Sequence, residues 1–353
     1  VWVRALEARD LRRLVRLDIE LGPGVNAFTG RNAQGKTTVL EAVALLARGR
    51  SFRTDDVRSA VRREAGGLAV SGVVVDPARE TRLQLEVQGS ERTQRVDGRS
   101  VRPAEYAGRL EAVVYATDRL RAVRGPMRER RAFLDRQAAA LWPTYRATLS
   151  AYERVLRQRN AALERGSGDL EAWDERLALE GGALRARRAG YAQRLRAALE
   201  HAFRPAGERY DVLVPGSAVE ADERARLRTE LGASRGAERR ARRTLAGPHR
   251  DEVRFLVQGD DAAESASSGQ VRSLLLALAQ SALAVYRAER GTPPVALLDD
   301  LDSELDEERA TRFCREVASG GQGLVTTSHP AWARRLAEFG RLFLVEEGRV
   351  VAA

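Results

Sequence analysis

The sequence predicts an α/β fold: a P-loop core with a flanking antiparallel sheet, its two halves separated in sequence by a mostly helical second lobe. Three observations predict it. A glycine-rich phosphate-binding loop sits between a strand-like and a helix-like stretch near the N-terminus, a long Arg-, Ala-, Leu- and Glu-rich run fills the middle, and strand and helix alternate again towards the C-terminus. The expected division is residues 1–117 for the first half of the core, 118–246 for the helical lobe and 247–353 for the second half.

Each element follows from its pattern. Val1-Trp2-Val3-Arg4-Ala5-Leu6 and Leu14-Val15-Arg16-Leu17-Asp18-Ile19 alternate with the period of strands that bury one face. Val25 to Phe28 is a third strand, leading into Gly30-Arg31-Asn32-Ala33-Gln34-Gly35-Lys36-Thr37, a complete G-x-x-x-x-G-K-[ST] loop. An apolar helical run follows, Val39 to Leu46, and ends near Gly49. Strand, loop and helix in that order are the context a phosphate-binding loop requires. Further strands are expected at Leu68 to Val75, Thr81 to Val87 and Ala112 to Ala116, with turns at Gly89 and Asp97-Gly98, which suggests an antiparallel sheet beside the loop.

From about Pro126 to Ala246 β-branched residues are few, which favours helices. Leu149, Tyr152, Leu156 and Leu163 keep a helical spacing, as do Leu170, Trp173, Leu177, Leu184 and Tyr191, and Gly166-Ser167-Gly168 reads as the short loop between antiparallel arms. Arms over 144–164 and 169–200 would be about 30 Å and 45 Å long, which makes a lobe and not a long coiled-coil rod. Pro205, Pro215 and Gly216 interrupt the helices, which resume near Asp222. Beyond Gly247-Pro248, Val253 to Val257 reads as a strand, Val271 to Arg287 as an apolar helix and Val295 to Leu298 as a buried parallel strand. Glu304 to Val317 reads as a helix, Leu324 to Thr327 as a strand and Pro330 as a helix start, and Phe343 to Val351 closes as a hairpin around Glu347-Gly348.

Of the 60 basic residues, 59 are arginine, and the single lysine is Lys36 inside the loop. A compact ammonium on a flexible stem can reach between phosphate oxygens where a planar guanidinium would not fit. The net charge of +10 is compatible with a polyanionic partner, although 50 acidic residues are mixed among the arginines and many pairs will be solvated faces. The densest basic runs say more: Arg119, Arg121, Arg124, Arg128, Arg130 and Arg131, then Arg235, Arg239, Arg240, Arg242 and Arg243. They are candidates for contacts to the phosphates of double-stranded DNA. Aromatic residues are only 5%, which disfavours single-strand recognition by base stacking. No apolar run is long enough for a bilayer and the N-terminus reads as a strand, so a cytoplasmic location without a membrane partner is expected. The lone Cys314 reads as a buried thiol, and three histidines with one cysteine give no metal-ligand cluster.

The chemistry-bearing residues fall in order along the chain. Backbone N–H groups of residues 31–37 can wrap phosphates, aided by the dipole of the following helix. ATP with Mg²⁺ is therefore expected on Gly30 to Thr38, with Lys36 between the β- and γ-oxygens and the Thr37 hydroxyl on the metal. The strand 295–298 ends in Asp299-Asp300; Asp299 is expected to hold Mg²⁺ directly or through water and Asp300 to orient or deprotonate the attacking water. Alone, such a pair could be an acidic helix cap. Ser267-Ser268-Gly269-Gln270 opens the apolar helix and is either a simple cap or an anion site. Its place between the loop and Asp299 resembles the signature motif of ABC-type ATPases, which binds the γ-phosphate held on the loop of a second subunit. Ser303-Glu304-Leu305-Asp306 resembles the D-loop of those enzymes, and His329 after the strand 324–327 resembles their switch histidine.

The resemblance then becomes specific. Leu297-Leu298-Asp299-Asp300-Leu301-Asp302-Ser303-Glu304-Leu305-Asp306 is similar to the stretch that marks the RecF family of DNA repair and replication ATPases, related to the heads of SMC and Rad50 proteins. Gly247-Pro248-His249-Arg250-Asp251 is similar to that family's G-P-H-R-D segment, and Glu129-Arg130-Arg131-Ala132-Phe133-Leu134-Asp135 to its E-R-R-x-F-L-D segment. The resemblance implies an ABC-type ATPase head that forms a homodimer on ATP, each site completed by Ser267 and Gly269 of a second copy. It further implies a clamp on duplex DNA near single-strand gap junctions that works with RecR and RecO to load RecA. Two departures bear on it. Asp300 stands where ABC enzymes carry glutamate, so slow hydrolysis is expected, and no glutamine lies between Tyr115 and Gly125 to serve as a Q-loop. A transporter subunit would have a far shorter gap between loop and acidic strand, and an SMC or Rad50 rod would need hundreds of heptad residues. An ATP-gated scaffold with negligible turnover is the non-enzymatic alternative.

Overall fold

Strict alternation in the N-terminal third builds a sheet with one buried face. Its strands are β1 (Trp2–Leu11), β2 (Leu14–Glu20), β4 (Gly67–Val75), β5 (Glu80–Gln88), β6 (Glu91–Val96) and β7 (Arg99–Ser100), paired antiparallel throughout in the order β2-β1-β4-β5-β6-β7. β4 and β5 bury every second residue, Leu68, Val70 and Val74 against Leu83, Leu85 and Val87. Between β2 and β4 the chain forms β3 (Val25–Thr29) and α1 (Lys36–Arg48); α2 (Pro103–Tyr106) and β8 (Ala112–Ala116) follow β7. The structure, a computed structural model, describes residues 1–54, 56–116, 120–166, 169–202, 207–301 and 307–353.

A second sheet is predominantly parallel. The C-terminal part of the chain adds β12 (Val295–Asp299), α9 (Glu307–Gly320), β13 (Gly323–Thr327), α10 (Pro330–Leu336), β14 (Gly340–Glu346) and β15 (Arg349–Ala352), and the sheet order is β15-β14-β3-β13-β12-β8. β3, β8, β12 and β13 are buried along their whole length, as strands covered on both faces must be. α1 packs on β1, β4 and β5 of one sheet and on β8, β12 and β13 of the other. A helix covered on opposite sides must be apolar nearly all round, and Val39, Leu40, Val43, Leu45 and Leu46 are each fully buried. Together with residues 1–119, the chain from Leu275 onwards makes one compact unit.

Leu120–Leu274 makes the other. It holds α3 (Arg121–Arg124), α4 (Met127–Leu141), α5 (Pro143–Glu164), α6 (Glu171–Leu199), β9 (Tyr210–Leu213), α7 (Glu220–Ala241), β10 (Arg254–Val257), β11 (Asp260–Asp261) and the first turns of α8 (Ser268–Arg290). Residues 247–274, which the sequence groups with the core, belong to this unit because β10 pairs antiparallel with β9, in register Phe255 to Val212, and not with a core strand. β9 itself, four residues between prolines, is recognisable only by that pairing. Among the described residues no helix is long and apolar enough to cross a membrane.

Close packing of α6 on α7 depends on two adjacent glycines. A Cβ on Gly182 would lie 2.6 Å from the backbone nitrogen of Arg224, and one on Gly181 would lie 2.5 Å from Leu227 Cδ2. Alanine gains about 1 kcal/mol over glycine in a helix interior, whereas overpacking costs about 1–3 kcal/mol. The obstacle at Gly182 is backbone, which cannot swing aside, so the packing term wins. Gly182→Ala is expected to lower stability by roughly 1 kcal/mol net in urea denaturation.

His249 is held uncharged within this unit. Burial pushes its imidazole down to about 4; Arg250 and Arg131 push the same way, against the Thr244 carbonyl. The ring is thus neutral at pH 7: Nε2–H donates to Thr244 O at 3.3 Å and Nδ1 accepts from the Tyr152 hydroxyl at 2.5 Å. Between pH 6.5 and 4 the unfolded chain takes up a proton that the folded chain does not, so this group removes stability as pH falls, on the order of 3 kcal/mol by pH 4. His249→Gln should flatten the stability profile over that window relative to the parent chain.

Candidate functional site

The parallel sheet decides which residues meet. β14, β3, β13, β12 and β8 run in the same direction, so their carboxyl ends lie side by side. The loop 30–37 leaves β3 at that edge, Asp299-Asp300 closes β12, and Ser328-His329 follows β13. β13 lies between the other two, with Thr327 opposite Thr29 and Val325 opposite Leu298.

This order brings two side chains onto one carboxylate. Thr37 Oγ1 donates to Asp299 Oδ1 at 2.8 Å, and Thr326 Oγ1 donates to the same oxygen at 2.7 Å. The Thr326 hydroxyl also accepts the N–H of Asp300 at 2.8 Å, and Asp300 has a left-handed backbone at φ 47°. Asp299 is 8% exposed. Its oxygens and the Thr37 hydroxyl are hard donors in contact, the chemistry that suits Mg²⁺. Sequence reasoning missed Thr326; the signal was a hydroxyl at the buried end of the strand beside the acidic one.

The loop geometry is set by glycine where only glycine fits. Gly30 has φ 153°, and a Cβ there would lie 2.2 Å from the carbonyl of Val345. Gly35, at φ 113°, caps α1 without a side-chain hydrogen bond, which leaves the N–H groups of Lys36 and Thr37 to face an anion. Lys36 is buried, with Nζ donating to Gly30 O at 2.8 Å and Arg31 O at 3.2 Å and lying 3.5 Å from Asn32 Oδ1. Gln34 bonds to the C-terminal hairpin: its Oε1 accepts the N–H of Glu347 at 2.6 Å and its carbonyl accepts that of Gly348 at 3.3 Å. It fastens the β14–β15 turn to the loop.

An open cavity of about 980 Å³ extends from Lys36, Thr37, Thr38 and Asp300 to a wall of five arginines, Arg12, Arg13, Arg53, Arg62 and Arg63. Arg12 is held by Glu41, a fully buried carboxylate on α1, at 2.8 Å, and Arg13 donates to Ala33 O at 3.0 Å. Ser51 Oγ also donates to Glu41 at 2.5 Å. These arginines stand outside the dense basic runs and went unnoticed in the sequence. Glu41 was the available signal, because an acid in an otherwise apolar helix needs a cation beside it.

The other expected residues are distributed as follows. His329 is exposed at the N-terminus of α10, its N–H donating to Thr327 Oγ1 at 2.9 Å. Ser303, Glu304, Leu305, Asp306 and Arg119 lie outside the described residues. In the second unit, Ser267 Oγ accepts from Gln270 N at 3.2 Å and Gln270 Oε1 accepts from Ser267 N at 2.9 Å, a reciprocal capping box. The cap leaves Ser268 and Gly269 exposed. The basic run 119–131 is largely engaged inside that unit: Arg121 with Glu129 at 2.9 Å, Arg124 with Ala266 and Ser268, Arg130 with Asp261 at 3.2 Å, and Arg131 with Asp251 O at 2.7 Å. Arg235 pairs with Asp174 at 2.6 Å. Arg128 is exposed, as are Arg239, Arg240, Arg242 and Arg243 at the C-terminal end of α7.

Residues 6–117 match the AAA domain family. The DNA replication and repair protein RecF of Symbiobacterium thermophilum is 36% identical, with 99% of this chain and 98% of that protein aligned. RecF of Chloroflexus aurantiacus is 33% identical over the full length of both. The chain belongs to the RecF family. A solved structure of the recombination mediator protein RecF with ATP superposes with a TM-score of 0.91 at 26% identity, covering 100% of this chain and 97% of that one. An SMC head bound to the C-terminal winged helix of ScpA shares the fold, with a TM-score of 0.55 at 13% identity over 100% of this chain and 98% of that one.

The two segments that make the sequence resemble RecF proteins outside the loop and the acidic strand meet in the second unit. Asp135 and Asp251 both bind the buried Arg188, at 2.9 Å and 3.5 Å, and Asp251 also binds Arg185 at 2.7 Å. Their role in this RecF chain is to close a buried ion network. At the edge of the parallel sheet, Thr326→Val keeps the shape of the side chain, removes one donor from Asp299 and leaves the Asp300 amide without its acceptor. It should cost about 1–3 kcal/mol in chemical denaturation.

Proposed function

We propose that the protein is a RecF-type DNA repair and replication ATPase in which ATP binding joins two copies of the chain around DNA. The observation that supports this most directly is the meeting of Thr37, Asp299 and Thr326, with Thr37 and Lys36 lining the cavity. In this reading Gly30 to Thr38 cradle the triphosphate and Lys36 releases its loop carbonyls to reach the β- and γ-oxygens. Thr37 and Asp299 would hold Mg²⁺, which supplies charge neutralisation between the phosphates. Asp300 orients or deprotonates the attacking water and His329 lies at the γ-phosphate end. Ser267, Ser268, Gly269 and Gln270 of one copy meet the γ-phosphate bound to the other, so ATP contributes to the interface and hydrolysis removes that contact. The shorter reach of Asp300 suits a slow ATPase acting as a switch.

The partner DNA is proposed to be duplex near single-strand gaps, with RecR and RecO as co-workers in loading RecA, in the cytoplasm. A relative described as a recombination mediator of the RecFOR pathway supports that reading. The exposed arginines at the end of α7 would contact the DNA backbone.

Lys36→Ala is expected to abolish ATP binding in calorimetry, and with it ATP-dependent dimerisation and tight duplex binding. Ser267→Arg should bind ATP as a monomer and fail to dimerise in gel filtration; a normal ATP dimer from that variant would exclude the shared site. Replacing Arg239, Arg240, Arg242 and Arg243 together should reduce the slope of log affinity against log salt by about 3.6, measured on one duplex across a salt series. An unchanged slope would remove α7 from the DNA footprint.

A further inference from the structure

We infer that Arg124 is a positioning residue for the signature turn, setting the shape in which Ser268 and Gly269 are presented to the nucleotide of a second copy. The inference rests on the shared-site reading above and adds a residue to it.

The guanidinium of Arg124 bridges both flanks of the turn. Nη2 donates to the carbonyl of Ala266 at 2.5 Å and Nη1 to Ser268 Oγ at 3.1 Å. A planar fork of fixed geometry thus defines the separation of two groups that flank Ser267, which a single flexible ammonium could not do. The carrier of this side chain is itself anchored. α3 is one turn long, with Val123 fully buried, and it ends at Gly125, whose N–H donates to Arg121 O at 2.9 Å. A Cβ on Gly125 would lie 2.3 Å from that same carbonyl, so the turn closes only with glycine.

The far end of the loop is clamped from the same stretch of chain. Asp261 accepts from Arg130 and Arg254, each at 3.2 Å, and from the N–H of Ala263 at 3.0 Å. Burial alone would raise this carboxyl; the Ala263 N–H and the two guanidiniums outweigh it and hold it below the ordinary range. Asp261 therefore stays ionised and fixes the start of the loop, the capping box of Ser267 and Gln270 fixes its end, and Arg124 fixes the residues between them. Ser267, Ser268 and Gly269 remain exposed within this frame. Both Nη atoms of Arg124 are directed at the turn, which separates it from the exposed arginines of α7. Its bonds are solvent-exposed and so contribute little to global stability; their effect is local to the turn.

The test uses the full chain, with Arg124→Ala, Arg124→Lys and the parent compared in the absence of DNA. Monomer affinity for ATP is read by calorimetry at low protein concentration, the dimer constant by sedimentation with ATP, and the mobility of residues 262–271 by amide hydrogen exchange without ATP. For Arg124→Ala we expect unchanged melting and monomer affinity, about tenfold faster exchange in the turn and about a tenfold weaker dimer. Arg124→Lys, able to make one of the two bonds, should fall between. Unchanged exchange or an unchanged dimer constant in Arg124→Ala would overturn the inference. If the parent chain itself fails to dimerise on ATP, the shared-site reading falls, and unchanged exchange in Arg124→Ala would still show separately that Arg124 does not hold the turn.

Discussion

One carboxylate oxygen organises the candidate site. Asp299 Oδ1 receives the hydroxyl of Thr37 from the phosphate-loop helix and that of Thr326 from the neighbouring strand. A carboxylate buried at the end of an apolar strand is costly unless such donors surround it. They can do so because β13 lies between β3 and β12, and α1 packs against both sheets. The helix that presents Lys36 and Thr37 is thus also the centre of the hydrophobic core. Local chemistry and global packing share the same thirteen residues of α1.

The second unit handles charge differently. Arg159, Arg185 and Arg188 are nearly or wholly buried, and each is matched by carboxylates: Arg159 by Asp174 and Glu238, Arg185 by Asp251, Glu223 and Glu230, Arg188 by Asp135 and Asp251. The guanidinium is suited to this because its several donors can serve two acids at once and its hydration is weak. Part of the arginine excess is therefore internal structure. The same property explains Arg124, whose two donors span a turn, and it sharpens the contrast with Lys36, the position where a point charge on a flexible stem is required.

The arginine wall around the cavity beside Lys36 shows the same economy. Glu41 is fully buried in α1 and reaches Arg12, Ser51 and, at 3.6 Å, Arg53. One acid inside the core thereby holds two cations at the rim of the cavity. Its position between the loop and the rim couples the packing of α1 to the electrostatics of the site.

Much of this was legible in the sequence because it depends on local pattern. The period-2 strands, the glycine loop with its single lysine, the apolar helix after the capping box and the Asp299-Asp300 strand end all carry signals within a few residues, and so the nucleotide-loop architecture and its family resemblance were readable. The remainder depends on which distant residues become neighbours. Thr326 meets Asp299 through strand order, β9 exists through β10, and residues 247–274 join the second unit through that pairing. The basic run at 119–131 looked like a DNA surface and proves largely engaged in internal pairs, because charge density along a chain does not say which carboxylates will face it. The sequence by itself determined most of the elements and the chemistry they carry. Tertiary structure alone decided the pairing of donors with acceptors, since a hydrogen bond across hundreds of residues is fixed by packing and leaves no local trace.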